Sequence, residues 1–346
     1  MKVLIVKTSS MGDLIHTLPA VTDAARAVAD IRFDWVAEEA FAEIPSWHPA
    51  VERVISIALR RWRKTPLLKS MWREIGKTLS DLRTLDYDRI IDAQGLIKSA
   101  AVTRLARGWR CGMDRRSCKE PLAAVAYQQR YSVVKQMHAI NRVRILFAAA
   151  LGYSVPHEQL DYGLDRALFE QPNLRRPYVV FLHASSGPAK LWPVSKWAEL
   201  VRHAEQAGFS VYLPWGNQAE YQRAKVIAAA GLSAKVLPRM HLHELAAVLV
   251  DSSGVIGVDT GLAHLAAALQ VPGVTLYTAT SPNMTGTRGP RQTCMKPANI
   301  PEKGAVWKKL YERRAKGAED RFGTLSVEAV WTCLQSNMNK TASSPL

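Results

Sequence analysis

A chain of 346 residues and 38.4 kDa is long enough for two domains that each bury a core, and 48% hydrophobic with 22% charged residues excludes a disordered polypeptide. No apolar run approaches the roughly 18 residues of a membrane span, and Met1–Lys7 is too short for a signal peptide and lacks a cleavage pattern after it, so the expected address is cytoplasmic. Charge is the outlier: 46 Lys+Arg against 30 Asp+Glu give +16, with +10 in residues 1–150 and +6 in 151–346, so the first half is expected to meet an anionic partner.

Residues 2–6 read as a short buried strand and Ile15–Val28 as a helix, joined by the polar turn Thr8–Asp13. Further strands are predicted at Arg32–Val36, Val51–Ile57 and Arg89–Asp92, with helices between them, the pattern of a parallel sheet covered on both faces. From Arg60 to Lys77 seven basic residues (Arg60, Arg61, Arg63, Lys64, Lys69, Arg73 and Lys77) accompany one acid, Glu74, with Trp62, Met71 and Trp72 interleaved. That stretch reads either as a solvated helix face or as a surface for phosphate or an anionic membrane. Gly76-Lys77-Thr78 imitates the end of a P-loop, but Met71 replaces the glycine and no strand precedes it.

Tyr153–Arg176 is weakly periodic and contains Pro156 and Pro172, which places a linker at 161–176 between domains 1–160 and 177–325. The second half restarts the pattern. Strands are predicted at Tyr178–His183, Val211–Pro214, Lys235–Leu237, Gly254–Val258 and Val274–Tyr277, with helices at Ser195–Ala207, Gln218–Ala230, Leu242–Leu249 and Leu262–Leu269. A C-terminal helix at 326–337 and a frayed tail at 338–346 complete the chain. The expected fold is therefore α/β, two facing Rossmann-like doubly wound domains with a ligand cleft at the carboxyl ends of their strands.

Three strand-to-helix turns carry chemistry. Asp13, after Ser9-Ser10-Met11-Gly12, is either the cap of the following helix or a carboxylate facing a cleft as general base; the absence of G-x-G-x-x-G argues against a nicotinamide dehydrogenase. Ala184–Pro193 is a small-residue loop whose Ser185, Ser186 and Lys190 suit a diphosphate. Asp259-Thr260-Gly261-Leu262-Ala263-His264 opens a helix whose free N–H groups suit a phosphate, although Asp259 or Thr260 serving merely as a cap fits the same letters. Cys111, Cys118, Cys294 and Cys333 show no paired spacing, so neither a metal site nor a disulfide framework is expected. His241 and His243 read as a surface pair.

The segments Lys7-Thr-Ser-Ser-Met-Gly-Asp13, Leu18-Pro-Ala20, Asp92-Ala-Gln-Gly-Leu-Ile-Lys98, Lys190-Leu-Trp-Pro193 and Asp259-Thr-Gly-Leu-Ala-His264 resemble, in order, those of the lipopolysaccharide heptosyltransferases. Ile44-Pro-Ser-Trp-His48 and Arg60-Arg-Trp-Arg-Lys64 narrow the resemblance to the heptosyltransferase I branch of glycosyltransferase family 9. It spans about residues 1–335 and implies a GT-B fold and an inverting transfer of L-glycero-D-manno-heptose from ADP-heptose to the first Kdo of Kdo2-lipid A. The enzyme would work at the cytoplasmic face of the inner membrane, against its anionic surface, without an essential metal and without nucleic acid.

By motif, the resemblance makes Asp13 the base. It makes Ser185, Ser186, Lys190, Glu220, Met240, Asp259, Thr260, Gly261, Leu262 and His264 donor-binding, with Glu220 on the ribose and Met240 near adenine. Ser10, Arg60, Arg61, Arg63, Lys64, Lys98 and Lys119 are the acceptor-side candidates. Lys119 stands where relatives carry Arg, Thr278-Ala279 where they carry Gly-Pro, and Gly187-Pro188 alters the diphosphate loop. The basic segment Lys303–Arg314 is a further candidate for membrane or acceptor phosphate. Rival readings are a heptosyltransferase acting on heptose, a nucleotide- or nucleic-acid-binding protein without transfer activity, and a sugar-nucleotide epimerase; transfer to an added acceptor separates them.

Overall fold

A computed structural model describes residues 1–63, 69–157, 160–297 and 325–340. Lys64 and the segment Lys303–Arg314 lie outside the described residues. The chain divides into two compact units, Met1–Asp165 and Arg166–Leu346.

The first unit carries strands β1 (Lys2–Val6), β2 (Arg32–Glu38), β3 (Val51–Ile57), β4 (Asp86–Asp92), β5 (Arg107–Met113) and β6 (Gln129–Tyr131). Its helices are α1 (Met11–Ile15), α2 (Leu18–Ala27), α3 (Glu43–Ser46), α4 (Leu59–Trp62), α5 (Lys69–Arg83), α6 (Ile97–Leu105) and α7 (Ala139–Leu151). The strands form one parallel sheet in the order β3-β2-β1-β4-β5-β6. Leu4, Val6, Val36, Ile55, Ile57, Leu82, Tyr87 and Ile90 fill the layer beneath α5 and α6. A buried Asp34–Arg53–Tyr87 group also lies there: Arg53 holds Asp34 at 2.8 Å and the Tyr87 hydroxyl donates to the same carboxylate at 2.6 Å.

The second unit has strands β7 (Tyr178–Leu182), β8 (Ser210–Leu213), β9 (Ala234–Val236), β10 (Gly254–Val258), β11 (Gly273–Leu276) and β12 (Gln292–Met295). Its helices are α8 (Val194–Gln206), α9 (Gln218–Ala228), α10 (Leu242–Asp251), α11 (Gly261–Ala268), α12 (Pro282–Thr285) and α13 (Val327–Asn339). All pairings are parallel in the order β12-β11-β10-β7-β8-β9. Counted within the unit this is the same strand order as in the first sheet. Val179, Phe181, Val258 and Leu276 meet Trp197 and Leu200 of α8 and Val327, Val330 and Leu334 of α13 in a single core. Trp192 and Trp197 meet edge to face, with ring centroids 5.2 Å apart.

In a doubly wound sheet the chain leaves its first strand toward one edge and returns beside it toward the other, so the loops after the first and fourth strands diverge and open a crevice. Those loops follow β1 and β4 in one unit and β7 and β10 in the other. Register sets what they hold. Val6 lies beside Asp92, which brings Lys7 against Ala93, and Leu182 lies beside Gly257, which brings the 184–190 loop against Asp259.

Two sequence expectations need correction. The helix read over Ile15–Val28 is two helices, because Pro19 has no N–H to give the Ile15 carbonyl and its ring clashes there. The turn before it is shorter than expected, so Asp13 sits inside the first turn of α1. Strands β5, β6 and β12 carry no apolar run: β5 is Arg-Gly-Trp-Arg-Cys-Gly-Met, and β6 and β12 are short edge strands. Gly112 of β5 lies so close to Tyr127 that a Cβ would stand 2.4 Å from the ring.

Candidate functional site

In the first unit the two diverging loops are stitched together. Gln94 Oε1 accepts from the Thr8 N–H at 2.7 Å and the Thr8 hydroxyl at 2.8 Å. Asp92 organises the partner loop, its Oδ1 accepting the N–H groups of Gln94 and Gly95 and its Oδ2 the Tyr127 hydroxyl at 2.7 Å. Lys98, on the first turn of α6, donates to Ser9 Oγ at 3.1 Å.

Asp13 is the accessible carboxylate of this cluster. Its Oδ2 accepts both the N–H and the hydroxyl of Ser10, each at 2.9 Å, in a capping-box arrangement. Its Oδ1 lies 3.7 Å from the ammonium of Lys7, beyond hydrogen-bond reach, and the side chain is 40% exposed. Lys7 is buried and donates to the Ala93 carbonyl at 2.9 Å. Burial alone would raise the Asp13 pKa, but Lys7 and the two bonds from Ser10 pull it down to about 2. The cap reading is realised by one oxygen, which anchors the helix start, while the other is left as an accessible anion of the kind the base reading requires.

The acceptor-side candidates separate. Ser10 and Lys98 belong to the Asp13 cluster. Arg60, Arg61 and Arg63 lie on α4 and its cap after β3. Arg60 stacks over Phe41 at 5.4 Å and its N–H bonds Glu38. Arg61 bonds Glu39 at 3.0 Å and Glu74 at 2.9 Å, so its charge is already met, and Trp62 Nε1 donates to Glu74 as well. The basic stretch is therefore less cationic than its letters imply, because Glu39 reaches it from elsewhere in the chain. Arg63 and Lys119 are exposed. Gly76-Lys77-Thr78 lies inside α5, which removes the P-loop imitation.

In the second unit the corresponding loops converge on Asp259. Lys190 Nζ stands 2.6 Å from Asp259 Oδ2, Thr280 donates its hydroxyl to the same oxygen, and His264 Nε2 lies 3.6 Å from Oδ1. Burial opposes ionisation of Asp259, but the bonds from His264, Lys190 and Thr280 hold its pKa far below the ordinary range. Ser185 donates to the Asp259 carbonyl at 2.9 Å, and Ser186 is exposed on the same loop. Thr260 is the N-cap of α11 without using its hydroxyl as a cap, and Gly261 and Leu262 open the helix. This gathers Ser185, Lys190, Asp259, Thr260, Gly261 and His264. Free N–H groups of a helix start, hydroxyls and an ammonium are donors suited to a diphosphate. Lys190 differs from expectation in one respect: its charge is balanced by Asp259.

Glu220, in the first turn of α9, accepts the Gly216 N–H at 2.7 Å, and Asn217 caps the helix. Met240 is half-buried before α10. Arg223, which sequence reasoning passed over, and Thr278, which it marked only as a departure, also shape this site. Arg223, one turn beyond Glu220, donates to the His183 carbonyl at 3.3 Å and to the Trp192 carbonyl, clamping both ends of the 184–191 loop. Thr278, one of the departures, donates to the Ala189 carbonyl at 2.8 Å, a tie that glycine cannot make. No local signal announced the first, because its partners are backbone carbonyls that the fold brings to it. The second was marked by its departure from Gly-Pro, though its partner carbonyl was not.

Residues 75–311 match the family described as Glycosyltransferase family 9 (heptosyltransferase). Lipopolysaccharide heptosyltransferase 1 of Pseudomonas aeruginosa is 50% identical over 296 residues, 84% of this chain and 82% of the relative. Among solved structures, the E. coli heptosyltransferase WaaC with ADP is 43% identical, with a TM-score of 0.87 over 97% of this chain and 100% of that one. The same protein with ADP-2-deoxy-2-fluoro heptose gives a TM-score of 0.84 at the same identity and coverage. Lipopolysaccharide heptosyltransferase 2 of Escherichia coli is more distant, 26% identical over 306 residues, 82% of this chain and 85% of the relative.

Proposed function

This chain belongs to glycosyltransferase family 9, the heptosyltransferases, and from that membership we propose that it moves L-glycero-D-manno-heptose from ADP-heptose to the first Kdo of Kdo2-lipid A. It is a glycosyltransferase that transfers heptose in lipopolysaccharide core synthesis. The observation that carries the chemistry is the pair of dissimilar switch-point loops, an accessible carboxylate after β1 and a donor-rich helix start after β10.

In the transfer, a Kdo hydroxyl attacks the anomeric carbon of the donor while the bond from that carbon to the diphosphate oxygen breaks. A single displacement inverts the centre. Asp13 Oδ1 accepts the hydroxyl proton. A carboxylate with a pKa of about 2 is a weak base at rest, so the proton moves only as the forming bond acidifies the hydroxyl. Charge growing on the departing ADP falls to Lys190, the hydroxyls of Ser185, Ser186 and Thr260, and the N–H groups opening α11. Glu220 receives the ribose hydroxyls and Met240 borders the adenine. Hydrogen-bond donors from Lys190, the hydroxyls and the helix start can meet that charge, so turnover is expected to survive EDTA.

Ser10 and Lys98 border Asp13 and receive the acceptor, with Arg60, Arg63 and Lys119 on the wider cationic surface that meets its phosphates. No helix among the described residues is long and apolar enough to cross a membrane. Work at the cytoplasmic face of the inner membrane follows from a lipid-borne acceptor and the +10 charge of residues 1–150.

The test is a pair of assays with ADP-heptose, one offering Kdo2-lipid A and the other the same acceptor already carrying heptose. Transfer to the first is expected. Transfer only to the second would make the chain a heptosyltransferase 2-type enzyme, and turnover of ADP-heptose to an isomer without acceptor would make it an epimerase.

A further inference from the structure

A second surface of the first unit stands out by its chemistry. Leu122 and Val125 lie on a 3₁₀ helix, Pro121–Ala126, and are 62% and 64% exposed. On such a helix residues three apart eclipse, so both project from one side, while Ala123 and Ala124 turn inward. Ile97, at the start of α6, is 52% exposed. It sits alongside because its N–H donates to Glu120 at 2.6 Å and the Glu120 N–H donates to the Gly95 carbonyl at 3.0 Å. Three large aliphatic side chains, two on one side of the 3₁₀ helix and one on the neighbouring start of α6, are thereby exposed to solvent.

Cations surround them. Arg130 Nε is bound to the Ala124 carbonyl at 2.8 Å and Arg110 Nε to the Ala126 carbonyl at 3.1 Å, which fixes two guanidinium groups against the 3₁₀ helix. Lys119 is exposed at its start. The single acid between Arg115 and Tyr131, Glu120, is engaged by the Ile97 N–H.

We propose that this face, built on Ile97, Leu122 and Val125 and ringed by Arg110, Lys119 and Arg130, docks the protein on an anionic lipid bilayer. Aliphatic side chains enter the acyl boundary while guanidinium and ammonium groups meet headgroup phosphates, the chemistry of an interfacial anchor. A second copy of the chain on this face would bring like charges together, and single-stranded nucleic acid would ask for aromatic platforms rather than aliphatic ones. The α4–α5 face is the poorer candidate, since Glu39 and Glu74 already balance Arg61, and Glu74 also engages Trp62.

The proposal rests on the reading of a lipid-borne acceptor and says where that lipid is met. A continuous run of contacts leads from the patch to the proposed base: Glu120 to Gly95 and Ile97, Lys98 to Ser9, and Ser10 to Asp13. The patch and the loop that carries Asp13 are thereby tied together through the start of α6.

The experiment is co-sedimentation of the full chain with phosphatidylcholine vesicles, with and without phosphatidylglycerol, comparing wild type with Leu122→Asp/Val125→Asp and with Arg130→Gln. The double variant is expected to lose at least about tenfold in vesicle partition, and Arg130→Gln to lose only the part that requires phosphatidylglycerol and disappears at high salt. ADP affinity and turnover on detergent-dispersed acceptor stay unchanged in both. Should the aspartates impair folding, judged by Tm, Leu122→Ser/Val125→Ser reads the same partition. Unchanged partition of the double variants overturns the proposal, as does a wild type that ignores vesicles or that self-associates through these residues. Because partition needs no sugar, a chain that fails to heptosylate Kdo2-lipid A still reports on the docking face, and failed docking leaves transfer in detergent intact.

Discussion

Asp13 shows what one side chain contributes when its two oxygens face different neighbours. Asp13→Asn keeps the Ser10 bonds in large part but cannot take a proton, so kcat is expected to fall by about 100-fold or more while the Kd for ADP-heptose moves within a few-fold. Near-native kcat, measured by ADP release, would remove the base assignment. Lys7→Met takes away a cation that lowers the Asp13 pKa. The acid limb of kcat/KM, which lies below the working range in the wild type, is expected to rise by about one to two pH units in that variant. An unchanged pH profile would mean that Ser10 alone governs the carboxylate. Asp13 was legible because its loop is a recognisable strand-to-helix turn. Lys7 was not, since a lysine ending a strand reads as solvent-facing until β1 and β4 are paired and bury it.

At the level of elements, the donor loop depends on a helix that does not contain it. Arg223 of α9 holds the carbonyls of His183 and Trp192, so Arg223→Leu leaves both ends of the loop free. The expected outcome is a KM for ADP-heptose raised about tenfold, equal to roughly 1.4 kcal/mol of lost binding, with kcat within a few-fold and partial rescue by Arg223→Lys. Equal loss in kcat and KM would show a broken fold instead. Elements with apolar runs, such as β1, β7 and β10, were readable from their letters. Strands β5, β6 and β12 were not: their pairing comes from the neighbour already in place, as Gly112 of β5 shows by making room for the Tyr127 ring that steadies Asp92. Helix breakage at Pro19 was readable in principle from proline's missing donor.

Across the whole molecule, two buried histidines set the response to acid. His48, in the first unit, accepts the Ala50 N–H on Nδ1 at 3.1 Å and meets the Thr22 hydroxyl with Nε2 at 3.0 Å. His183, in the second, is fully buried at the end of β7. Burial lowers both pKa values to about 4 from 6.5. Between those values the unfolded chain binds protons that the folded chain refuses, so stability falls as pH drops from about 6.5 to 4, by up to about 3 kcal/mol for each histidine. Below about pH 4 the depressed carboxylates Asp13 and Asp259 add to the loss as they protonate. Thermal unfolding in the absence of ligand is expected to give a plateau above pH 7 and a declining Tm below it; a flat profile to pH 4 would contradict the buried neutral state. The two-unit α/β plan was legible as repeated alternation of strands and helices. Identical strand order in the two sheets was not, because edge strands leave too faint a trace to be ordered from sequence.

The contact between Lys190 and Asp259 bears on how the enzyme resets. If Lys190 holds the diphosphate as proposed, ADP and the Asp259 carboxylate compete for one ammonium once heptose has left. On that reading the carboxylate would act as a displacer of spent nucleotide. Asp259→Asn, which lacks that rival charge, is expected to slow ADP departure and tighten product inhibition severalfold in stopped-flow release measurements. Faster departure from the variant would show that the carboxylate instead helps keep ADP in place.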